Sequence, residues 1–469
     1  MSSSKMSRRA ALALVASLGS FAALAACGGT TPGGPGQQSG PGGSPSQLAP
    51  TPGRILGIIP VPPPPPPTPT PTPLVLRFAH WESGATAQAL ASIGQRFGQQ
   101  NPRVVVQPEV ATFGAHFARL RASLAAGTAP DVFVNSGLDV ADFVGQQALL
   151  DLTGRMAGDQ LTLADYWTEP TTQPIAGRQY TLPIWNATEV VFYNRDHFSE
   201  LKIAEPAADW TWGQLLATAE QLTQGKPGQV QRWGLLLTND LQGGWGSFVA
   251  SNGGQWLDDT GKKTALQSAP ALEALQWFAN AMLVHHVAPR PIQQQALGNA
   301  GQIDPFLAGA VSMFPNGTCE MPAALTGAGF PWDVRPLPRA PRTDQNVTIS
   351  GVQPVSAARQ TRIPDQAWQF LRYLLDRDAQ VTLATGKLKL PALKAVAGDL
   401  ASGYASPPPA QAIAAVNAMD HATDLHFVPN WQNFRAAVVD ALTPAFDGRI
   451  SLADAVKQAV TDGDAALAR

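Results

Sequence analysis

The sequence predicts an α/β fold with two domains, and three observations support this prediction. Between residues 74 and 134, apolar runs typical of buried strands alternate with stretches of helical periodicity. This alternation of strand, helix and strand is typical of βαβ units and favours a mostly parallel sheet. About 400 residues follow the first 73, more than a single hydrophobic core usually serves, so we expect two domains.

The first elements of the fold can be placed from local signals. Asn101-Pro102 stops the first helical stretch, and Gly127 ends the second. We predict strands over the short apolar runs and helices between them: strands 74–79, 104–106 and 131–134, and helices 85–99 and 117–126.

Later helices also carry start signals. Thr211 and Gln214 form a capping box in front of an apolar stripe. Residues 365–375 carry apolar side chains at helical spacing, and Ser451 precedes a similar C-terminal stretch. We expect these stripes to pack in the core.

The N-terminus predicts export and a lipid anchor. Lys5, Arg8 and Arg9 precede an uncharged apolar run over residues 10–26, which is shorter than a membrane span of about 20 apolar residues. The run ends in Leu24-Ala25-Ala26-Cys27, which resembles a lipobox. This resemblance implies a signal peptide over 1–26 and lipidation of Cys27, so that the lipid anchor alone attaches the chain to the membrane.

The segment 27–73 is predicted to be a tether. It consists almost entirely of Gly, Pro, Ser, Thr and Gln, a composition that cannot bury enough apolar surface to fold. Its second half contains Pro62–Pro67 and should form a semi-rigid polyproline spacer. The apolar patch Ile55–Ile59 inside the tether has no explanation in the sequence.

Composition and motifs argue against several function classes. A net charge of −2 does not provide the excess of basic residues that nucleic-acid binding usually requires. The sequence also contains no nucleophile elbow, no zinc-protease motif and no phosphate loop. Once Cys27 is lipidated, Cys319 has no partner for a disulfide, and we expect it to be a buried, inert thiol. We expect no metal, no cofactor and no enzymatic activity.

An ordered series of motifs resembles the extracellular solute-binding proteins of family 1, the group of maltose-binding protein. It includes Leu76-Arg77-Phe78-Ala79-His80-Trp81 and Trp210-Thr211-Trp212-Gly213-Gln214-Leu215. The remaining pieces are residues 125–133, 149–153, 180–183, 191–196, 306–313, Gly351 and 367–371.

The resemblance implies a two-lobe, periplasmic-binding-protein-like fold of class II, with a ligand cleft between lobes joined by a hinge. By similarity, the chain crosses between lobes near 186–191 and near 348–355. Lobe one would comprise 74–187 plus 350–400, and lobe two 188–347 plus 401–469.

The function implied is that of a monomeric, membrane-tethered extracellular protein on the outer face of the cytoplasmic membrane. It would deliver a small solute, a neutral sugar or oligosaccharide, to the permease of an ABC importer. Two alternatives stay open: an exported glycoside-acting hydrolase, because carboxylate spacing depends on the fold, and a surface lipoprotein without a role in transport.

The prediction of a sugar ligand points to a set of candidate ligand residues. The chain has twelve tryptophans and only five tyrosines, and aromatic planes match the apolar face of a sugar while amides and carboxylates match its hydroxyls. In parallel sheets, ligands bind beyond the carboxyl ends of the strands. The candidates lie after predicted strands, at the first crossing or after loops: Trp81, Glu82, Asn135, Trp185, Asn186, Trp245, Asn316 and Trp431.

Overall fold

The fold is given by a computed structural model, which describes residues 72–226, 228–298, 303–401, 410–411, 413–423 and 428–468. The predicted signal peptide, Cys27 and nearly all of the tether, including Ile55–Ile59, lie outside the described residues. The described residues all fall within one compact unit.

The described strands are short and form two main sheets and one minor pair. They are β1 Leu74–His80, β2 Val104–Val110, β3 Val132–Val134, β4 Leu182–Asn186, β5 Glu189–Asn194, β6 Gln224–Lys226, β7 Gln229–Leu235, β8 Val311–Gly317, β9 Trp332–Pro336, β10 Thr348–Ile349, β11 Gln353–Ala357, β12 Leu390–Pro391 and β13 Ala422–Thr423.

Helices cover the faces of these sheets. They are α1 Gly84–Gln100, α2 Phe113–Ala126, α3 Gly137–Gly145, α4 Thr153–Gly158, α5 Arg195–Leu201, α6 Trp212–Leu222, α7 Trp245–Ser251, α8 Ala269–Leu283, α9 Pro291–Gln294, α10 Asp304–Leu307, α11 Met321–Gly327, α12 Pro364–Leu375, α13 Arg377–Ala384, α14 Lys394–Ala401, α15 Ile413–Asn417, α16 Trp431–Phe446 and α17 Leu452–Leu467.

The first lobe is built on a six-stranded sheet with the order β12-β4-β11-β3-β1-β2. Leu76 and Phe78 of β1 pack against α1 and α12 on one face, and Ala79 packs against α2 on the other. β1, β2 and β3 are parallel, as predicted, but β11 is antiparallel to both β3 and β4. The prediction of a mostly parallel sheet is therefore wrong for the sheet as a whole. The reason is that β11 enters this lobe at the carboxyl edge, from the crossing that precedes it.

The second lobe is built on a five-stranded sheet with the order β6-β7-β8-β5-β9. α6, α7 and α8 share a hydrophobic core with α16 and α17, which pack on each other and on α8. The predicted capping box is confirmed, since the Thr211 hydroxyl accepts from the Gln214 amide and the Gln214 side chain bonds back to Thr211. Burying the apolar stripe of each helix in this way stabilises the lobe.

Two short segments that cross between the lobes lie against each other. Residues 187–188 connect β4 to β5, and residues 350–352 connect β10 to β11. The Ala187 amide donates to the Gly351 carbonyl at 3.1 Å, and the Gly351 amide donates to the Ala187 carbonyl at 2.8 Å. These reciprocal bonds couple the two crossings, so a change of backbone angles in one must be followed by the other. The α/β, two-lobe fold predicted from the sequence is confirmed.

Two predicted boundaries differ from the structure. β2 continues to Val110, four residues beyond the predicted end. α2 begins at Phe113 and not at Phe117, because Thr112 is extended and its carbonyl already accepts the first helical bond, from the His116 amide at 2.8 Å. The end of α2 is as predicted, with Gly127 in the left-handed region at φ 72°.

Candidate functional site

The carboxyl ends of the first-lobe strands form one edge, which faces the crossings. Ala79 of β1 pairs with Phe133 of β3, and Val134, the last residue of β3, pairs with Val355 of β11. β4 runs in the same direction as β3 and reaches this edge at its last residue. Five of the eight predicted ligand residues lie along this edge: Trp81, Glu82, Asn135, Trp185 and Asn186.

A buried ion pair occupies the middle of this edge. The Lys389 ammonium lies 2.8 Å from Glu82 Oε1, and their side chains are only 7% and 10% exposed. The same ammonium lies 5.0 Å from the centre of the Trp185 ring, a cation–π distance. Trp185 is 2% exposed, so in this structure its ring is covered by Lys389 and not open to a ligand. Sequence reasoning missed Lys389, because no local pattern distinguishes it from Lys387 two residues earlier.

Two buried asparagines carry amide oxygens that lack a donor within the described chain. Asn135 Nδ2 donates to Ser356 Oγ at 2.7 Å, and Asn186 Nδ2 donates to the Pro391 carbonyl at 3.2 Å. Neither Oδ1 atom has a hydrogen-bond partner among the described residues. Buried acceptors are normally satisfied, so these two oxygens stand out as polar atoms without a partner in the described part of the chain.

Trp81 lies at the outer end of this edge among other aromatic rings. Its ring centre is 5.4 Å from that of Phe113, 5.3 Å from His116 and 5.1 Å from Phe117. Of the four tryptophans predicted to contact the ligand, Trp81 alone keeps partial exposure in this structure. Its accessible ring is therefore held in a fixed orientation.

His80, the last residue of β1, is a buried and neutral histidine at this edge. His80 is fully buried, and neither ring nitrogen has a hydrogen-bond partner in the described part of the chain. Burial, reinforced by the nearby His116, lowers the pKa of His80 to about 4. His80 is therefore uncharged at neutral pH and adds no positive charge to the site.

The facing edge of the second lobe includes Asn316 at the end of β8. A Cβ atom at Gly243, which has φ +70°, would lie 2.9 Å from Asn316 Oδ1, so only glycine allows the loop this close. A Cβ at Gly351 would lie 3.3 Å from Gln242 Nε2, so the same loop also touches the second crossing. Asn316 thus lies next to the hinge, at a place the sequence predicted.

Trp245 and Trp431 are the first residues of α7 and α16 and are 0% and 1% exposed. Trp245 Nε1 donates to Asn239 Oδ1 at 3.2 Å, and Asn239 Nδ2 donates to the Val439 carbonyl of α16 at 3.1 Å. Both tryptophans belong to the second-lobe core, whereas Trp185 belongs to the first-lobe core. The four predicted tryptophans therefore do not form one cluster.

A second ion pair, which the sequence did not reveal, lies at this edge. Arg435 Nε donates to Asp240 Oδ1 at 2.7 Å, and Arg435 Nη2 donates to Oδ2, so the pair is bidentate. Asp240 precedes α7 and Arg435 lies one turn into α16, and the two are 195 positions apart. Only the folded chain brings these residues together.

Cys319 follows β8 and is exposed, so the prediction of a buried thiol is wrong. Surrounding protein nevertheless desolvates the thiol and, with Glu320, raises the pKa of Cys319 to about 12. Lys389 and Glu82 of the first lobe also act electrostatically on this pKa. The high pKa keeps the thiol protonated and unreactive.

Glu189, immediately after the first crossing, links the loop before α7 to the hinge through hydrogen bonds. Its carboxylate accepts from the Gly243 amide and from Ser247 Oγ, both at 2.6 Å, and its own amide donates to Thr348 Oγ1 at 2.7 Å. Burial, opposed by these hydrogen bonds and aided by Asp240, raises the pKa of Glu189 to about 7. No local pattern singles out this residue at the start of an apolar strand.

Neither metal chemistry nor a membrane span is indicated by the described residues. Within them, no three His, Cys, Asp or Glu side chains lie close enough to hold a metal ion. In that same part of the chain, no helix combines the length and the apolar character that crossing a membrane requires.

Comparison with known proteins places the chain in context. The profile of the family described as bacterial extracellular solute-binding protein matches residues 80–381. A putative binding protein of Brucella abortus is 27% identical over 128 residues, which span 27% of this chain and 31% of that protein.

Two solved structures share the fold. The ABC substrate-binding protein Lmo0181 of Listeria monocytogenes, in complex with cycloalternan, superimposes with a TM-score of 0.75 at 21% identity, over 84% of this chain and 99% of that one. The cyclic alpha-maltosyl-1,6-maltose binding protein of Arthrobacter globiformis gives a TM-score of 0.71 at 19% identity, with 84% and 99% covered. At these identities the likeness shows the fold.

Proposed function

The chain belongs to the bacterial extracellular solute-binding proteins, and we propose that it binds a neutral sugar or oligosaccharide between its lobes and delivers it to an ABC importer. The solved relatives support this choice of ligand, because one is in complex with cycloalternan and another binds cyclic alpha-maltosyl-1,6-maltose. Malto-oligosaccharides are therefore the first saccharides to test.

One observation carries the proposal: two strand edges that bear polar side chains face each other across paired crossings. The two ion pairs at these edges, Glu82–Lys389 and Asp240–Arg435, are each neutral as a pair. A phosphorylated or carboxylated ligand needs an uncompensated cation, whereas hydroxyl groups can donate to a carboxylate and accept from an ammonium. This arrangement suits a neutral solute rich in hydroxyl groups.

In this proposal, Trp81, Glu82, Asn135, Asn186 and Asn316 contact the ligand, and Lys389 joins them. Trp185, Trp245 and Trp431 support the walls from behind in this conformation, because their rings pack in the hydrophobic cores of the two lobes. The lobes divide at the two crossings, with 74–187 plus 350–400 in one and 188–347 plus 401–469 in the other. Sheet membership supports this division, since β4 and β11 belong to the first sheet and β5 and β9 to the second.

The proposal includes a lipid anchor at Cys27, a monomeric state and a position on the outer face of the cytoplasmic membrane. The lipobox-like sequence supports the anchor. Cys27→Ser should release the protein from membranes without changing its affinity for ligand, and detergent phase partitioning measures the release. A variant that still partitions with the membrane would contradict lipidation at this position.

Isothermal titration of residues 74–469 with glucose, maltose, maltotriose and maltotetraose tests the binding function. We expect at least one to bind and to be recovered unchanged by chromatography. Asn135→Ala should weaken binding by about 3- to 10-fold, the usual worth of one hydrogen bond. The matched variant Ser356→Ala leaves the Asn135 amide oxygen in place and should weaken binding less. Steady conversion of the saccharide in proportion to protein concentration would instead favour the hydrolase.

A further inference from the structure

Glu189 carries a buried carboxyl group where the hinge meets the second lobe, and it contacts three segments. It is 3% exposed and directly follows the first crossing. Its amide donates to Thr348 Oγ1 of β10, just before the second crossing, at 2.7 Å. Its carboxyl oxygens accept from the Gly243 amide in the loop before α7 and from Ser247 Oγ in α7, both at 2.6 Å. Glu189 therefore holds this loop and α7 against the hinge.

The loop before α7, residues 240–244, also lies against the cleft. A Cβ atom at Gly243 would lie 2.9 Å from Oδ1 of Asn316, one of the proposed ligand residues. On its other side, the loop contacts the second crossing, because a Cβ atom at Gly351 would lie 3.3 Å from Gln242 Nε2. A movement of this loop therefore changes the surroundings of Asn316 and of the hinge together.

The packed loop accommodates the neutral form of Glu189 more easily than the ionised form. A carboxylate that is removed from water loses its hydration, and this loss is large unless a cation compensates it. Among the described residues, the charged group that acts on Glu189 is Asp240, which has the same sign. Burial and Asp240 outweigh the two hydrogen bonds and raise the pKa of Glu189 to about 7, so both forms are populated near neutral pH.

We propose that Glu189 is a positioning residue for ligand binding, which keeps the loop before α7 in its packed position when protonated and loosens it when ionised. Water reaches an ionised carboxylate at this place only if the loop moves toward the cleft, and a ligand beside Asn316 blocks that movement. The ligand thus favours the protonated form, so binding takes up a proton from solution and weakens as the pH rises. This inference rests on the proposed function and adds a proton to its binding equilibrium.

Other titratable or charged groups lie on the elements around Glu189. Asp240 belongs to the loop itself and forms a bidentate pair with Arg435 of α16. The others on neighbouring elements are Cys319 and Glu320 after β8, Asp333 and Arg335 on β9, and Asp420 and His421 before β13. Among them, Glu320 is a carboxyl group whose pKa is also raised by burial. Glu320→Gln is therefore the matched control for Glu189→Gln.

Isothermal titration in buffers of different ionisation enthalpy counts the protons taken up when glucose, maltose, maltotriose or maltotetraose binds. A tenfold preference of the ligand for the protonated form corresponds to an uptake of about 0.4 proton at pH 7 and to about fivefold weaker binding at pH 8 than at pH 6. We expect effects of this size in the wild type and in Glu320→Gln, and neither effect in Glu189→Gln. Ser247→Ala removes a hydrogen bond that lowers the pKa of Glu189, so its uptake should move to higher pH. No uptake by the wild type, or equal uptake by the wild type and Glu189→Gln, would overturn the proposal.

Hydrogen–deuterium exchange without ligand separates the role of Glu189 from the choice of ligand. Exchange of residues 240–247, divided by the intrinsic rate at each pH, should become faster as the pH rises through 7 in the wild type and stay constant in Glu189→Gln. Protection that is independent of pH in the wild type would overturn the positioning role even if a saccharide binds. Absence of binding to all four saccharides, together with pH-dependent protection, would overturn the proposed ligand and leave the hold of Glu189 on the loop supported.

Discussion

Replacing Glu189 with glutamine should remove a pH dependence of stability that is built into the hinge. The carboxylate is buried between the first crossing and the loop before α7, where it accepts from Gly243 and Ser247. Glutamine keeps the shape and one acceptor oxygen, and its amide can donate to Ser247 Oγ, which already accepts from the Ile349 amide at 2.9 Å. The substitution therefore removes the charge with little change in packing.

The size of the effect follows from the pKa. Burial raises the pKa of Glu189 from its ordinary 4.5 to about 7, which at ~1.36 kcal/mol per pH unit corresponds to about 3 kcal/mol. Because the folded-state pKa is raised, this contribution to stability is fully present below about pH 4.5 and is lost as pH rises through 7. The free energy of unfolding of Glu189→Gln, relative to wild type, should therefore increase by about 3 kcal/mol between pH 4.5 and pH 8.

Urea denaturation followed by tryptophan fluorescence, at closely spaced pH values, measures this difference. Ser247→Ala is a second variant with a distinct outcome: it removes a hydrogen bond that lowers the pKa of Glu189, so the loss of stability should shift to higher pH. A difference between Glu189→Gln and wild type that stays constant within about 0.5 kcal/mol across the window would refute the reasoning.

Three other substitutions test contacts elsewhere. Lys389→Met should lower the free energy of unfolding by ~3–5 kcal/mol because it leaves Glu82 buried without its cation. The double variant Glu82→Gln/Lys389→Met should lose much less, because no buried charge remains. Equal losses for the two variants in urea denaturation would contradict a stabilising ion pair between Glu82 and Lys389. Trp245→Ala should cost ~3–5 kcal/mol in thermal unfolding because its side chain is fully buried, and a loss below about 1 kcal/mol would disprove a core role. Thr211→Ala should cost about 1 kcal/mol and Thr211→Ser almost nothing, as measured by urea denaturation, and similar losses for both would contradict the cap.

Local patterns predicted most of the first-lobe architecture because they reflect local physics. The spacing of apolar residues identified α1, and a glycine at the left-handed position identified the end of α2. The start of α2 was missed because Thr112 is followed by Ala115 at the third helical position, so the sequence contains no capping box to mark it. The reversal of β11 could not be read locally either, because it depends on the path of the chain through the other lobe.

The candidate site was predicted only where a general rule links sequence to position. The rule that ligands bind beyond the carboxyl ends of strands placed Glu82 and Asn135 at the edge that faces the hinge. Lys389 and Arg435 escaped prediction because their partners, Glu82 and Asp240, lie far away in the chain, 195 positions away in the case of Asp240 and Arg435. Sequence spacing carries no information about such pairs.

The tryptophans show why residue type alone is a weak guide to a binding surface. Trp245 and Trp431 were expected to follow loops, but each begins a helix, and the first turn of a helix turns its apolar side chains toward the core that the helix covers. Phe113 also begins a helix, yet it remains exposed because α2 starts at the rim, beyond the last residue of the edge strand. Accessibility thus depends on where a helix begins relative to the sheet it covers. A shift of four residues in the start of α2 places Phe113, and not Phe117, at the accessible end of the aromatic cluster.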